Sequence, residues 1–178
     1  MNNNEDLITI KNAVRNIPDF PQQGIQFKDI TTAIKQPHIY SLIIDQIASY
    51  YAGKGITKVV AVESRGFISG GALAYKLHAG LVPVRKPGKL PAEKYSRTYE
   101  LEYGQDILEI HKDALSSEDI VLLHDDLLAT GGTALAVIEL LKLFHVKTIY
   151  INFIIELVSL KGKQRLPGSH DLYTLIQY

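Results

Sequence analysis

Two adjacent carboxylates followed by a run of small residues form the segment of this sequence whose chemistry is clearest. The apolar stretch at residues 121–123 leads to His124, Asp125 and Asp126, and two leucines then precede a turn of small residues before a predicted helix. We call this turn the glycine-rich loop. It consists of Ala129, Thr130, Gly131, Gly132 and Thr133. Free backbone N–H groups at the start of a helix, together with the helix dipole, are suited to binding a phosphate.

The two aspartates indicate what else the ligand must contain. Carboxylates beside a phosphate site would repel the phosphate unless another part of the ligand lies between them. A ribose meets this need, because its hydroxyl groups donate hydrogen bonds and an ionised Asp only accepts them. The segment therefore predicts a ribose 5-phosphate site, with a plain strand–turn–helix corner capped by Asp as the alternative. It contains neither the Gly-Lys-Ser/Thr of a Walker A loop nor the G-x-G-x-x-G of dinucleotide-binding enzymes.

Two further segments carry groups suited to a diphosphate. Ser-Arg-Gly at residues 64–66 stands between a predicted strand and a predicted helix, where backbone N–H groups and a guanidinium can bind phosphate oxygens. Ordinary helix capping is the alternative there. Arg85, Lys86 and Lys89 place three cations on a turn that contains Pro and Gly. A solvated basic turn is the alternative, because exposed charges usually contribute little.

The elements that must position these groups alternate between strands and helices. Helices are predicted at residues 7–17, 39–51, 66–78 and 132–144, and strands at residues 56–62, 81–84, 119–123, 147–155 and 172–176. Residues 19–32 are predicted to be an ordered loop, and residues 86–104 a long polar lid without regular secondary structure. This alternation predicts a single α/β domain over residues 1–178, with a mainly parallel central sheet flanked by helices. In such sheets ligands bind at the carboxyl ends of the strands.

Composition excludes several classes of function. Among 178 residues, 19 Lys plus Arg balance 19 Asp plus Glu, so there is no electrostatic case for nucleic acid or a membrane as the main partner. The absence of cysteine excludes disulfides, thiolate metal sites and a cysteine nucleophile. No apolar run approaches the roughly 20 residues that span a bilayer, and the first residues do not resemble a secretory signal. We expect a cytoplasmic protein.

The motifs, taken in order, resemble the adenine phosphoribosyltransferases of the type I phosphoribosyltransferase family. Residues 121–133 are similar to that family's signature for phosphoribosyl pyrophosphate (PRPP), "VVDDLLATGGT", with His124 where the family usually has an apolar residue. Three other segments resemble family strings: residues 20–29 "FPxxGIxFKDIT", residues 85–91 "RKxGKLP" and residues 99–104 "YxLEYG". The match runs from about residue 17 to residue 160, and Ser-Leu-Lys-Gly at residues 159–162 is also typical of the family.

The resemblance implies how PRPP would be held. The glycine-rich loop would bind the 5′-phosphate, and Asp125 and Asp126 would face the ribose. Pyrophosphate would contact Ser64, Arg65, Gly66, Arg85, Lys86 and Lys89. The family commonly has a non-proline cis peptide at the position of the Ser64–Arg65 bond. Mg²⁺ would be bound mainly through PRPP or pyrophosphate oxygens and water.

The resemblance also implies the base site and the lid. Residues 1–35 would form an N-terminal helix and a hood, in which backbone groups of Gln26 and Lys28 read the edge of adenine. Phe27 would stack on the base, unless it is only part of the core. In the lid, Glu102 would accept the proton that leaves adenine N9, and Tyr103 would donate near pyrophosphate. A solvated acid is the alternative for Glu102.

The implied activity is the conversion of adenine and PRPP to AMP and pyrophosphate in purine salvage, through a transition state resembling an oxocarbenium ion. Glu102, Arg65 and Lys89 would be the catalytic residues. A homodimer is implied, with residues 85–90 and the lid near the interface. Two rival functions are the same chemistry on another base and a PRPP-sensing regulator that has lost catalysis. The intact cationic segment and lid motif argue against the regulator.

Overall fold

The computed structural model of the chain describes residues 3–20, 22–100, 105–168 and 170–178. Its helices are Asn3–Ala13 (α1), Thr31–Ile34 (α2), Pro37–Tyr51 (α3), Gly66–Lys76 (α4), Gly132–Lys142 (α5) and Gly162–Arg165 (α6). Its strands are Arg15–Pro18 (β1), Gln26–Asp29 (β2), Lys58–Val62 (β3), Gly80–Val84 (β4), Lys94–Glu100 (β5), Gln105–His111 (β6), Ile120–Leu128 (β7), Thr148–Glu156 (β8) and Asp171–Gln177 (β9). Each helix in these ranges is too short or too polar to serve as a membrane span.

A five-stranded sheet lies at the centre in the order β4-β3-β7-β8-β9, and all four neighbouring pairs are parallel. Side chains alternate between its two faces. One face packs with α5 and includes Val60, Leu123 and Ile151; the other packs with α1, α3 and α4. The fold class predicted from the sequence, a single α/β domain with a mainly parallel sheet flanked by helices, is confirmed.

The N-terminal region differs from the prediction. The helix predicted at residues 7–17 ends at Ala13, and Ile17 lies in β1. Part of the predicted loop at residues 19–32 is β2, which pairs antiparallel with β1 and places Ile17 opposite Phe27. Thr32 helps to hold this arrangement, since its side chain accepts from the Arg15 N–H at 3.0 Å and donates to the Ala13 carbonyl at 2.7 Å. The apolar spacing of residues 7–17 did not show this pairing.

The segment predicted to lack secondary structure, residues 86–104, contains a strand. Lys94–Glu100 pairs antiparallel with Gln105–His111, a strand that the sequence also did not predict. β5 is mostly polar, so its own pattern does not indicate a strand. Its tyrosines supply the packing instead: Tyr95 meets Phe144 edge to face, with ring centroids 5.4 Å apart, and Tyr99 also packs against the core. Tertiary packing therefore outweighs the local pattern here.

Candidate active site

The carboxyl ends of β3, β4 and β7 form one edge of the sheet, and the predicted site segments follow them. Val62 pairs with Val84, so Glu63 and Arg85 leave adjacent strands side by side. β7 pairs with the other side of β3 and carries Asp125 and Asp126 near its end. β7 runs to Leu128, five residues past its predicted end, so both aspartates lie within the strand rather than after it.

The glycine-rich loop turns between β7 and α5. Gly131 has a φ of +83° directly before the helix, a conformation that other residues rarely adopt. The first N–H groups of α5 have no carbonyl partner within the helix. One cleft is lined by all five residues of the loop together with Asp125 and Phe153. The structure therefore brings Asp125 and the glycine-rich loop to the same place.

Asp126 points to the other face of the sheet, since neighbours on a strand alternate. It is only 4% exposed, and Arg65 Nε donates to its carboxylate at 2.5 Å. Burial opposes the charge on Arg65, but the hydrogen bond and charge of Asp126 outweigh it and raise the pKa of the guanidinium. Burial, followed by the charge of Asp126, raises the pKa of Asp125. Arg65 therefore holds Asp126 on one face of the sheet, while Asp125 lines the cleft of the glycine-rich loop on the other.

Ser64, Arg65 and Gly66 lead into α4 directly above the end of β7. A Cβ at Gly66 would lie 2.8 Å from Asp125 Oδ1 and 3.3 Å from the His124 carbonyl oxygen, so a larger residue would displace Asp125. A non-proline cis peptide is present, as the resemblance implies, but between Glu63 and Ser64 rather than between Ser64 and Arg65. Ser64 is exposed at this edge.

The three cations of residues 85–89 have different surroundings. Arg85 donates to Glu63 from Nε at 3.2 Å and from Nη2 at 3.3 Å, and the Lys86 backbone N–H donates to the same carboxylate at 2.9 Å. The hydrogen bond from Lys86, followed by Arg85, holds the pKa of Glu63 below its usual value. The Lys86 ammonium pairs with Asp106, whereas Lys89 is exposed and has no ion pair with any described residue.

The hood is the β1–β2 hairpin. Phe27 meets Phe20 edge to face with ring centroids 5.1 Å apart, and the Arg65 guanidinium lies 5.5 Å from the Phe27 ring centroid. Arg65 therefore touches both the hood and Asp126. Within the described ranges β2 has a strand on one side only, so its other edge is open. The Lys28 ammonium lies 4.1 Å from the centroid of the Tyr178 ring.

The lid motif lies partly outside the described residues, and so do both of the side chains to which the sequence assigns a role, Glu102 and Tyr103. The hairpin that carries the motif is anchored beside the cations. Arg85 and Glu109 exchange backbone hydrogen bonds of 2.9 and 2.8 Å. The buried Glu109 carboxylate also accepts from the Gly88 N–H at 3.2 Å.

His124 is completely buried beneath the two aspartates. Its Nε2 lies 2.7 Å from Ser69 Oγ and its Nδ1 lies 2.7 Å from Asn152 Oδ1. Because the Asn152 oxygen can only accept, Nδ1 carries the proton and Nε2 accepts from Ser69. Burial lowers the pKa of His124 to about 4. The histidine is thus a satisfied core residue that joins α4 to β7 and β8.

Known proteins resemble this chain in both sequence and architecture. A family model described as the phosphoribosyl transferase domain matches residues 31–176. The adenine phosphoribosyltransferase of Phocaeicola vulgatus is 54% identical over 168 residues, which are 94% of this chain and 97% of that protein. This chain belongs to the adenine phosphoribosyltransferase family.

Solved structures of adenine phosphoribosyltransferases share the whole fold. The crystal structure of the Rhodothermus marinus protein gives a TM-score of 0.93 at 47% identity and covers 98% of this chain and 99% of its own. The Giardia lamblia protein in complex with 9-deazaadenine gives 0.90 at 40% identity, covering 97% of both chains. The general domain model begins only at residue 31, so the likeness of the hood to adenine phosphoribosyltransferases rests on these whole-chain relatives.

Some residues that shape this phosphoribosyltransferase site were not assigned a role from the sequence. Glu63 and Glu109 hold the cationic segment, and Gly162 lies against the glycine-rich loop. Glu63 could have been found, because an acid and Arg85 follow adjacent strands at equivalent positions. Glu109 gives no such signal, since its strand was not predicted.

Proposed function

We propose that this chain transfers the 5-phosphoribosyl group of PRPP to N9 of adenine and releases pyrophosphate. The observation that carries the proposal is the convergence of three parts at one sheet edge: the cleft of Asp125 and the glycine-rich loop, the cationic segment, and the Phe27 hood, which Arg65 connects to Asp126. The bond from ribose C1 to pyrophosphate breaks, and the bond from C1 to adenine N9 forms on the opposite face.

The first part would hold the ribose 5-phosphate. Backbone N–H groups of residues 129–133 would donate to the 5′-phosphate at the positive end of α5. Asp125 lines the same cleft and would accept from a ribose hydroxyl. Asp126 would act through Arg65, whose guanidinium it holds between the hood and the sheet edge. This division differs from the expectation that both aspartates face the ribose.

The second part would receive pyrophosphate. As negative charge develops on the leaving group, Arg65, Arg85 and Lys89 would stabilise it, with N–H groups of residues 64–66 and the Lys86 ammonium as further donors. Arg85 and Lys86 are paired with Glu63 and Asp106, so these cations are held in place before a ligand arrives. Lys89 is exposed and can reach an anion without breaking an ion pair to any residue that the structure describes.

Magnesium fits this donor set. Mg²⁺ prefers oxygen ligands and is commonly bound by one or two carboxylates together with substrate phosphates and water. Asp125, which lines the cleft, is the carboxylate that the ion could meet here, and PRPP or pyrophosphate oxygens and water would supply most of its ligands. When bound, the ion would neutralise part of the charge on the leaving pyrophosphate.

The third part would select the base. Phe27 would stack on adenine, while backbone groups of Gln26 and Lys28 in β2 would pair with its exocyclic amine and a ring nitrogen. Hypoxanthine would place a carbonyl oxygen against a backbone acceptor, which such a polar site rejects strongly. Glu102 would accept the N9 proton and Tyr103 would donate near pyrophosphate. Closure of the part of the lid that carries Glu102 and Tyr103 would keep water from the activated sugar.

The active form would be a homodimer. Ile68 and Tyr75 lie seven residues apart on one side of α4 and are 47% and 84% exposed. Leu81, which is 45% exposed on the edge strand β4, lies beside them, within 4.0 Å of a Cβ built at Gly71. An exposed apolar surface of this kind is typical of a protein interface. A role in purine salvage in the cytoplasm completes the proposal and rests on the sequence resemblance.

A base-selectivity assay tests this function. The purified chain is given PRPP and Mg²⁺ with adenine, hypoxanthine, guanine or xanthine, and mononucleotide and pyrophosphate are measured. We expect AMP and an equal amount of pyrophosphate from adenine alone. Product from another base would overturn the assignment of the hood but leave the two phosphate sites. PRPP binding without any product would favour a PRPP-sensing regulator instead.

A further inference from the structure

The chain after β8 folds back onto the outside of the glycine-rich loop. A 3₁₀ turn at Val158–Leu160 leads to Lys161, whose φ is +54°, and then to α6. Gly162, the first residue of α6, is buried against the loop. These residues come about 30 positions after the loop in sequence and line no part of the cleft that holds Asp125.

At Gly162 the backbone of α6 packs directly against the backbone of the glycine-rich loop. A Cβ at this residue would overlap the Ala129 carbonyl oxygen and lie 3.0 Å from both the Ala129 carbonyl carbon and the Gly131 nitrogen. In return, a Cβ at Gly131 would lie 2.7 Å from the Gly162 carbonyl oxygen. The absence of a side chain at Gly131 and at Gly162 therefore lets α6 and the glycine-rich loop approach closely. A larger residue at either position would push the loop away from α6.

Arg165, at the end of α6, binds the loop directly. Its Nη1 donates to the Thr130 carbonyl oxygen at 3.3 Å. The carbonyls of Ala129 and Thr130 thus both meet α6, the first at Gly162 and the second at Arg165. In a trans peptide the C=O and the following N–H point in opposite directions. Holding these carbonyls toward α6 directs the N–H groups of Thr130 and Gly131 away from it.

We propose that Gly162 and Arg165 are positioning residues, which hold the glycine-rich loop so that its N–H groups face the 5′-phosphate. Neither residue lines the cleft of Asp125 and the glycine-rich loop. A loop with two adjacent glycines has wide conformational freedom, and fixing it in advance removes an ordering cost from binding. The inference rests on the proposed role of the loop as the 5′-phosphate site.

The effect should be specific to ligands that carry the phosphate. AMP and adenosine share the base and the ribose but differ in the 5′-phosphate, so their affinities separate the loop from the rest of the site. Calorimetric titration gives the Kd of each for the wild type and for Arg165→Ala, Arg165→Lys and Gly162→Ala. Lys163→Ala is the matched control, because Lys163 is an exposed cation on the same helix.

We expect Arg165→Ala to weaken AMP binding by about three- to tenfold, the scale of one lost hydrogen bond, with adenosine binding unchanged. Arg165→Lys should recover part of the loss, and Lys163→Ala should bind as the wild type does. Gly162→Ala should weaken AMP binding further. Arg165 is exposed, so its variants test the proposal even if Gly162→Ala does not fold.

Two failures are distinguishable. If the wild type binds AMP no more tightly than adenosine, the loop is not a phosphate site, and the proposed function and this inference both fail. If the wild type prefers AMP and Arg165→Ala keeps the full preference, only the positioning role is overturned. An equal loss of AMP and adenosine in Arg165→Ala would also overturn it, since that result indicates general damage to the site.

Discussion

Lys86 and Lys89 are three residues apart in the sequence, yet the structure gives them different electrostatic surroundings. Lys86 is tied to Asp106 at its ammonium and to Glu63 at its backbone N–H. Lys89 stands exposed at the same edge. An ammonium with no ion pair among the described residues has no competing acid to leave when pyrophosphate binds. At the scale of single residues, Lys89 is therefore the cation whose charge is most available to the leaving group.

Replacing Lys89 by Ala should lower kcat/KM for PRPP by roughly a hundredfold, the lower end of the effect of losing one donor to a developing negative charge. The KM for adenine should stay at the wild-type value, because the base site lies at the hood. Steady-state rates with each substrate varied in turn would show this. Lys112→Ala is the control, since Lys112 pairs with Glu93 at the surface. A change confined to the adenine KM would contradict the role.

The sequence could predict the types of group in the site but not their pairing. The glycine-rich loop and Asp125 were expected in one place, and they line one cleft. The ion pair between Arg65 and Asp126 was not expected, because it joins residues 61 positions apart and depends on which face each strand residue takes. A sequence shows the order of the segments along the chain. Contacts such as the ion pair between Arg65 and Asp126 depend instead on how the helices pack against the twisted sheet.

At the scale of elements, α4 lies unusually close to the sheet. A Cβ at Gly70 would be 2.6 Å from the Ala61 Cβ. Ser69, next to this glycine, reaches His124 in β7, and His124 reaches Asn152 in β8. Asn152 continues to the Tyr173 carbonyl in β9 at 3.0 Å. This buried network connects α4, which begins at Gly66 directly after Ser64 and Arg65, with β7, the strand that carries the two aspartates.

The network should make stability depend on pH. His124 has a folded-state pKa of about 4, below its usual 6.5, because burial disfavours the cation. The hydrogen bond to Asn152 and then the charge of Asp126 act in the opposite direction and raise the pKa of His124, but burial outweighs both. The contribution of His124 to stability is therefore complete above pH 6.5 and is lost as the pH falls from 6.5 toward 4. Linkage gives a loss of roughly 3 kcal/mol across that window.

Urea unfolding of the wild type and of His124→Leu at several pH values between 7 and 4 measures this contribution. The variant should be less stable at pH 7, since it leaves Ser69 and Asn152 without their partner, but its stability should fall less steeply below pH 6.5. His38→Gln, at an exposed histidine, controls for the removal of a histidine as such. Parallel pH profiles for wild type and His124→Leu would contradict the prediction, because they would show that folding does not change the pKa of His124.

Elements were predictable where local pattern and tertiary role agree. β3, β8 and α5 are strongly apolar and were predicted within a few residues of their ends. β5 was missed because Tyr95 and Tyr99 supply most of its apolar surface, and β1 was joined to a helix because Ile17 fits either periodicity. Short strands such as β1 and β5, each stabilised by pairing with one neighbouring strand, have too weak a hydrophobic pattern of their own to be predicted from sequence.

At the scale of the whole molecule, the surface formed by Ile68, Tyr75 and Leu81 sits on α4 and on the edge strand β4. The same two elements also lead to the site. Residues 64–66 stand at the start of α4, and Arg85 follows the last residue of β4. A partner subunit covering this surface would bury the exposed side chains and restrain the pyrophosphate part of the site. The proposed dimer would therefore support the activity as well as the stability of the chain.

Tyr75→Glu tests that arrangement, because a charge at the centre of an apolar interface is costly to bury. Loss of an aromatic anchor typically costs about 2 kcal/mol or more, so the dimer dissociation constant should rise by at least about thirtyfold. Sedimentation velocity over a range of concentrations would measure this, with Ile8→Glu as the control at a residue 54% exposed on α1. A wild type that is monomeric at every concentration would remove the dimer from the proposal. A Tyr75→Glu chain that dimerises as the wild type does would place the interface elsewhere. Monomeric Tyr75→Glu that also binds pyrophosphate weakly would connect the interface to the site.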